Sequence, residues 1–215
     1  MKKGILFDLD GTLWDSSKEV AISWTEALKK HSDIKMEITT EMIQGVMGKS
    51  MTEIADIFFE SYQFERRREL LEDCCEAENE YIRRHGGQLL PGLEQTLQQL
   101  REQGYHLYIV SNCQIGYIEA FLEYHKLEKY FDDFESFGGT SREKAYNIRL
   151  VAERNHLNSA VYVGDTQGDY LAAAKAGMSF IHARTGYGAV EAEAPYIEKL
   201  SQLPEAAEKY IAPFT

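Results

Sequence analysis

The sequence has few cysteines and no long apolar run, and these two absences limit what the protein can be. Its three cysteines, Cys74, Cys75 and Cys113, are too few for a disulfide framework and do not form a Cys/His pattern with zinc spacing. They are typical of reduced cysteines in a cytoplasm. No apolar stretch is long enough to span a membrane. The first apolar run is short and ends in carboxylates, unlike a signal peptide. We therefore expect a soluble cytoplasmic protein with no membrane partner.

Basic residues are also scarce. The chain has 23 Lys and Arg against 35 Asp and Glu, a formal net charge of −12 over 215 residues. Nucleic acids and anionic membrane surfaces are bound through basic patches, so neither is an expected partner. A phosphate ligand would need positive charge supplied locally, by a metal ion, a lysine or a helix N-terminus. Internal repeats and low-complexity segments are absent from the sequence.

The most informative stretch lies near the start, where Ile5 to Phe7 form a short apolar run typical of a buried strand. Asp8 and Asp10 follow it, and side chains two residues apart in an extended chain point the same way. Two such carboxylates repel each other unless a cation lies between them, and Mg²⁺ suits carboxylate and carbonyl oxygens. Alone, Asp-x-Asp-Gly also fits a plain turn. It does not fit a calcium loop, because the further acidic ligands are missing.

The periodicity after Thr12 predicts helices as far as residue 85, with no strand pattern among them. From residue 105 onwards strands alternate with helices, which predicts a parallel sheet. The first predicted strand is therefore separated from the next one by about a hundred residues. We expect an α/β fold: a doubly wound, Rossmann-like parallel sheet core built from residues 1–14 and 86–215, with an inserted all-helical cap domain at 15–85.

Polar residues follow the predicted strands in a consistent way. They are Asp8 and Asp10, then Ser111 and Asn112, Lys144 near a helix start, and finally Asp165 and Asp169. The carboxyl ends of parallel strands lie on one edge of a sheet, where ligands bind in open α/β folds. Each feature alone is weak, since Ser111 could cap a helix and Lys144 could be a solvated lysine. Their order along the chain is more specific.

These residues resemble the four motifs of the haloacid dehalogenase superfamily, in its phosphatase branch with a helical cap, similar to phosphoglycolate phosphatases. Phe7 to Leu13 matches the first motif, Val110 to Asn112 the second, Lys144 the third and Gly164 to Asp169 the fourth. The resemblance covers essentially the whole chain. It implies hydrolysis of a small phosphorylated metabolite through an aspartyl-phosphate, with Mg²⁺ as cofactor.

The resemblance also implies roles for individual residues. Asp8 would be the nucleophile, Asp10 the general acid and base, and Lys144 the cation beside them. Thr12, Ser111 and Asn112 would bind the substrate or fix the loop around it. The metal would be held by Asp8, by Asp10 through its backbone carbonyl, and by Asp165 and Asp169, the last directly or through water.

Several alternatives remain open at this stage. A phosphosugar mutase of the same superfamily, or a catalytically silent binding or regulatory member, would have the same motifs. Asp10 argues against a dehalogenase, because halide leaves without a proton. In the cap, Lys49 could meet the leaving group or be exposed, and Trp14 could line the pocket. The sequence does not identify the substrate or the oligomeric state, with a monomer as the working expectation.

Overall fold

The computed structural model describes residues 2–214 and contains one seven-stranded sheet and one small two-stranded ribbon. The strands are β1 (Lys3–Phe7), β2 (Trp14–Asp15), β3 (Gln88–Leu89), β4 (His106–Ser111), β5 (Asp133–Ser136), β6 (Ser159–Gly164), β7 (Ser179–Ala183), β8 (Tyr196–Ile197) and β9 (Ala212–Pro213). The α-helices are α1 (Ser17–Leu28), α2 (Thr40–Gln44), α3 (Met51–Phe58), α4 (Phe64–His85), α5 (Leu93–Glu102), α6 (Tyr117–His125), α7 (Phe137–Thr140), α8 (Lys144–Arg154), α9 (Gln167–Ala176) and α10 (Leu203–Tyr210).

The large sheet has the strand order β5-β4-β1-β6-β7-β8, and all neighbours along this path run parallel. Strand β1 lies at its centre, with Ile5 opposite Leu107 on one side and Val161 on the other. The short β9 pairs antiparallel with the start of β6. The predicted α/β fold class with a helical insertion is confirmed. Because all the parallel strands end at one edge, the residues that follow β1, β4 and β6 converge there.

Both faces of the sheet are covered by helices, as the apolar strands require. Ile5 and Phe7 belong to a core shared with α5, α6 and α10, whereas Leu6 faces a second core shared with α8 and α9. Helices α1 to α4 bury a third apolar cluster of their own around Trp24 and Phe59. Within the described chain, no helix is both long and apolar enough to cross a lipid bilayer.

The sequence at 135–137 is typical of a short strand, but β5 ends at Ser136, because the Ser136 side chain accepts a hydrogen bond from Gly139 N (3.1 Å) and starts the short helix α7. Residues 89–92 include the Pro and Gly of a loop, yet Leu89 belongs to β3, which pairs with β2 where the chain enters and leaves the helical insertion. The two-residue strands β2 and β3 are too short to show a periodicity in the sequence.

Candidate active site

The two carboxylates that follow β1 have different surroundings. Asp8 is buried, and its backbone N–H continues the strand by donating to Val163 O (2.8 Å). Asp10 lies two residues further along the chain, and its Oδ1 accepts three hydrogen bonds: from Trp14 Nε1 (3.0 Å), Ser16 Oγ (2.9 Å) and Tyr117 OH (2.9 Å). One oxygen of Asp10 is thus held firmly, and the other is left for a molecule beside it.

Asp8 belongs to a buried cluster of three carboxylates. Oxygens of Asp8, Asp165 and Asp169 all lie within 4.8 Å of one another. The ammonium group of Lys144, itself buried, donates to Asp8 Oδ1 (2.8 Å) and to Asp169 Oδ1 (2.6 Å). One lysine cannot neutralise three carboxylates, so the cluster has an excess of negative charge that a divalent cation would balance.

The hydrogen bonds within the cluster show which oxygens are suited to a metal ion. Asp165 Oδ1 is buried and has no hydrogen-bond partner among the described residues, which is costly unless a ligand binds it. Both oxygens of Asp169 already have partners, since Oδ1 accepts from Lys144 and Oδ2 accepts from Thr166 N (3.0 Å) and Oγ1 (2.7 Å). An oxygen-only set of donors fits a hard divalent cation.

Two backbone segments place Asp165 at the cluster. The loop after β7 brings the N–H groups of Tyr187 (2.7 Å) and Gly188 (3.2 Å) onto Asp165 Oδ2. At Gly186 a side chain would collide with the Asp165 carboxylate. Gly11 has a φ of +79°, and a Cβ there would lie 2.5 Å from Asp165 Oδ2. These glycines allow the backbone to approach the cluster closely.

Burial dominates the electrostatics of the cluster. It raises the pKa of Asp8 well above its usual value, and Asp169 adds to the rise while Lys144 opposes it. Burial likewise raises the pKa of Asp165 to about 6 and that of Asp10 above its usual value. Burial disfavours the charge on Lys144, but Asp169 and Asp8 outweigh it and raise its pKa. The lysine is therefore cationic, and a further cation would stabilise the ionised carboxylates.

A cavity of about 50 Å³ lies between this sheet edge and the helical insertion. Its core side is formed by Asp8, Asp10, Ser111, Asn112, Cys113, Gln114 and Tyr117; the insertion contributes Val20, Trp24, Ile43, Val46, Met47, Gly48, Lys49, Met51, Ile54 and Glu78. A cavity of this size, open to solvent on one side, suits a small molecule.

Some of the predicted site residues line this cavity and others do not. Ser111 lines it, and so does Asn112, whose amide also donates to Gly48 O of the insertion (2.9 Å). Thr12 is fully buried and is not part of the cavity lining. Its backbone N–H closes the turn after β1 by donating to Leu9 O (3.2 Å). Exposed Lys49 reaches the cavity lining, whereas Trp14 packs in the core against Phe121 and only its N–H faces Asp10.

Sequence reasoning missed three residues that shape the site. Tyr117 holds Asp10 although 107 positions separate them, and Trp24 and Glu78 of the insertion line the cavity. In the sequence Trp24 and Tyr117 look like ordinary apolar positions of helices. Glu78 interrupts the apolar stripe of α4, and an acidic residue on a buried helix face was the one available signal.

A parallel α/β sheet with a buried carboxylate cluster at its carboxyl edge, covered by an inserted helical layer, defines a capped α/β enzyme. The family model for haloacid dehalogenase-like hydrolases matches residues 5–183, and the chain belongs to this family.

The similarity to known proteins of this type covers most of the chain. A phosphoglycolate phosphatase of Aquifex aeolicus is 28% identical over 98% of this chain and 99% of its own length. One from Vibrio parahaemolyticus is 26% identical over 86% of this chain and 85% of its own. Among solved structures, a haloacid dehalogenase-like hydrolase of Bacteroides fragilis superposes with a TM-score of 0.81 at 24% identity, covering 94% of this chain and all of that one.

Proposed function

We propose that the protein is a Mg²⁺-dependent phosphatase that hydrolyses a small phosphomonoester through an aspartyl-phosphate. The observation that carries this proposal is the contrast between the two carboxylates after β1. Asp8 faces Lys144 and the acidic cluster, whereas Asp10 is held apart through one oxygen. The names of the Aquifex and Vibrio relatives support a phosphatase, and the small cavity suits a small ester.

Asp8 is the nucleophile in this proposal. One of its oxygens accepts from Lys144, and the other attacks phosphorus, so that the P–O bond to the leaving group breaks as the bond to Asp8 forms. Lys144 holds the carboxylate in place and adds positive charge where the transferring phosphoryl group carries negative charge.

Asp10 moves the protons. Its raised pKa suits a group that gives a proton to the leaving oxygen and then takes one from the water that hydrolyses the aspartyl-phosphate. Trp14, Ser16 and Tyr117 fix its Oδ1, so that the other oxygen does the transfer. A halide leaving group needs no such proton, and this favours phosphoryl transfer over dehalogenation.

Mg²⁺ would be held by Asp8, by Asp165 through its unpartnered oxygen, and by the backbone carbonyl of Asp10. When bound, it supplies charge that offsets the repulsion between the nucleophile and the phosphate dianion. Asp169, with both oxygens engaged, orients Lys144 and would join the metal site only through water.

Ser111 and Asn112 hold phosphate oxygens at the end of β4, and Thr12 steadies the loop beside them. Residues 15–85 act as a mobile cap over a core made of the remaining segments, and closure excludes bulk water. The substrate is a small phosphorylated metabolite. A cytoplasmic location agrees with the three free cysteines.

The direct test is release of p-nitrophenol from p-nitrophenyl phosphate by the purified protein, with Mg²⁺ and after removal of metal by EDTA. We expect turnover only with the metal, and a loss of roughly 10³-fold or more in Asp8→Asn. Asp56→Asn, on an exposed ion pair of the cap, is the matched control and should keep full activity. An Asp8→Asn variant with most of the wild-type rate would refute the proposed nucleophile.

A further inference from the structure

Helix α4 places a buried carboxyl group in the cavity wall, and the proposed reaction does not use it. Glu78 is only 5% exposed, although glutamate is rarely buried without a reason. It lines the same cavity as Asp10 and Lys49, and Asp10 is close enough to raise its pKa. The leaving group of a phosphoester would lie here, since Asp10 is the proposed proton donor to its oxygen.

The Glu78 carboxyl is anchored through one oxygen. Trp24 Nε1, also from the cap, donates a hydrogen bond to its Oε2. Gln114, which donates to Asn79 Oδ1 (3.2 Å), is a second hydrogen-bonding neighbour of this carboxyl. A carboxylate has about four acceptor sites, so Glu78 can still bind a hydroxyl of a molecule in the cavity that it lines.

The charges around the cavity disfavour an anionic leaving group. Burial raises the pKa of Glu78 to about 7, and the nearby Asp10 contributes to this rise, so a further anion beside it would be poorly tolerated. Lys49 is largely exposed, where water screens its charge, and Lys144 is already engaged by Asp8 and Asp169. A leaving group with its own carboxylate would find little free positive charge.

A hydroxyl group suits this position whether Glu78 is ionised or protonated, because a hydroxyl both donates and accepts hydrogen bonds. The rest of the wall is apolar, with Trp24, Ile43 and Val46 available to the C–H groups of a short carbon chain. The small size of the cavity favours a short carbon chain.

We propose that Glu78 is a specificity-determining residue that selects phosphomonoesters of small polyols, by binding a hydroxyl group of the leaving alcohol. This inference rests on the proposed phosphatase function and names its substrate class. It predicts that the protein discriminates against phosphoesters whose leaving group carries a carboxylate.

The test compares kcat/KM for three esters of similar size: glycerol 1-phosphate, propyl phosphate and phosphoglycolate. We expect the wild-type protein to prefer glycerol 1-phosphate over both others by at least about tenfold. Glu78→Leu should lower kcat/KM for glycerol 1-phosphate by roughly 10- to 100-fold, because one buried hydrogen bond to the substrate is lost. The same variant should leave propyl phosphate within about twofold.

Two further variants make the result specific. Glu78→Gln keeps the acceptor for Trp24 and is nearly isosteric, so it tests the proposal even if Glu78→Leu folds poorly. In this variant the preference for glycerol 1-phosphate over propyl phosphate should drop by roughly threefold or more. Glu80→Gln, on the exposed face of the same helix, should change none of the three values.

Equal losses for glycerol 1-phosphate and propyl phosphate would overturn the proposal, since Glu78 would then only support the cap. A wild-type preference for phosphoglycolate would overturn it as well. Hydrolysis of p-nitrophenyl phosphate by the wild-type protein separates these outcomes from a failure of the phosphatase function itself, which would remove the basis of both proposals.

Discussion

At the scale of single residues, the site derives different chemistry from identical side chains. Asp8 and Asp10 are two positions apart, yet one faces a lysine and two further carboxylates while the other is held by three neutral donors. Glu78, a third carboxyl at the same cavity, has a tryptophan as its anchor. The partner of each carboxyl, and not its own chemistry, sets what it can do.

The separate role of Asp10 leads to a prediction about leaving groups. Asp10→Asn keeps an acceptor for Trp14, Ser16 and Tyr117 but cannot donate a proton to the leaving oxygen. We expect turnover of an alkyl phosphate to fall by roughly 10²- to 10⁴-fold. Turnover of p-nitrophenyl phosphate should fall less, because nitrophenolate leaves without protonation. Steady-state rates with both esters check this, and equal losses would argue against proton transfer by Asp10.

Glu78 also predicts how stability depends on pH. Its pKa rises from 4.5 to about 7 in the fold because of burial, so the folded state binds a proton that the unfolded state has released between these values. The stabilisation is complete below pH 4.5 and is lost as the pH passes 7. Relative to Glu78→Gln, the wild-type protein should lose on the order of 3 kcal/mol of unfolding free energy across this window. Urea unfolding of both proteins at pH 5 and pH 8 measures this loss. An equal change of unfolding free energy in the wild-type protein and in Glu78→Gln would contradict the burial of Glu78.

At the scale of elements, the N-terminus of α8 supplies the one buried cation that the acidic cluster contacts within the described chain. Lys144 is the first residue of that helix and reaches across to residues that follow β1 and start α9. Helix placement thus joins three separate elements of the core through one ammonium group. Breaking a buried ion pair from one side leaves uncompensated charge, which costs more than the pair contributes.

We therefore expect Lys144→Met to lower the unfolding free energy by about 3–5 kcal/mol in metal-free buffer. Excess Mg²⁺ should restore part of this loss, because a divalent cation offsets the repulsion between Asp8 and Asp169. Lys175→Met, which removes the exposed pair with Glu143, should cost less than about 1 kcal/mol and gain nothing from Mg²⁺. Chemical unfolding with and without Mg²⁺ provides the comparison, and equal losses in the two variants would contradict it.

At the scale of the whole molecule, the helical insertion meets the rest of the chain through polar contacts around the cavity and through apolar packing of α4. Asn112 donates to Gly48 O (2.9 Å) and Asn79 donates to Ile115 O (2.8 Å), while the β2–β3 ribbon joins the two connecting segments. The inserted helices therefore keep an apolar contact with the core through Ile82 of α4, in addition to burying a cluster of their own.

The Asn112–Gly48 hydrogen bond gives a prediction about closure. Asn112→Ala removes one direct link between core and cap and one ligand proposed for phosphate, so binding of vanadate should weaken by roughly tenfold. Mg²⁺ affinity should stay the same, because Asn112 is not part of the acidic cluster. Asn155→Ala, whose amide contacts Asp133 far from the cap, is the control. The measurements are the inhibition constant of vanadate and the affinity for Mg²⁺ in each variant. A loss of Mg²⁺ affinity in Asn112→Ala would contradict this account.

The sequence by itself determined the α/β fold class, the helical insertion and the strand ends that bear Asp8, Asp10, Ser111 and Asp165. These follow from local periodicity and from the rule that parallel strands end at one edge. Only the tertiary structure decided that Tyr117 holds Asp10 and that Trp24 and Glu78 close the cavity. Such contacts join residues 54 to 107 positions apart, and their partners depend on how helices pack against the sheet and each other. Local pattern contains no information about that packing, so the chemistry of the sheet edge was predictable and the specificity of the cavity was not.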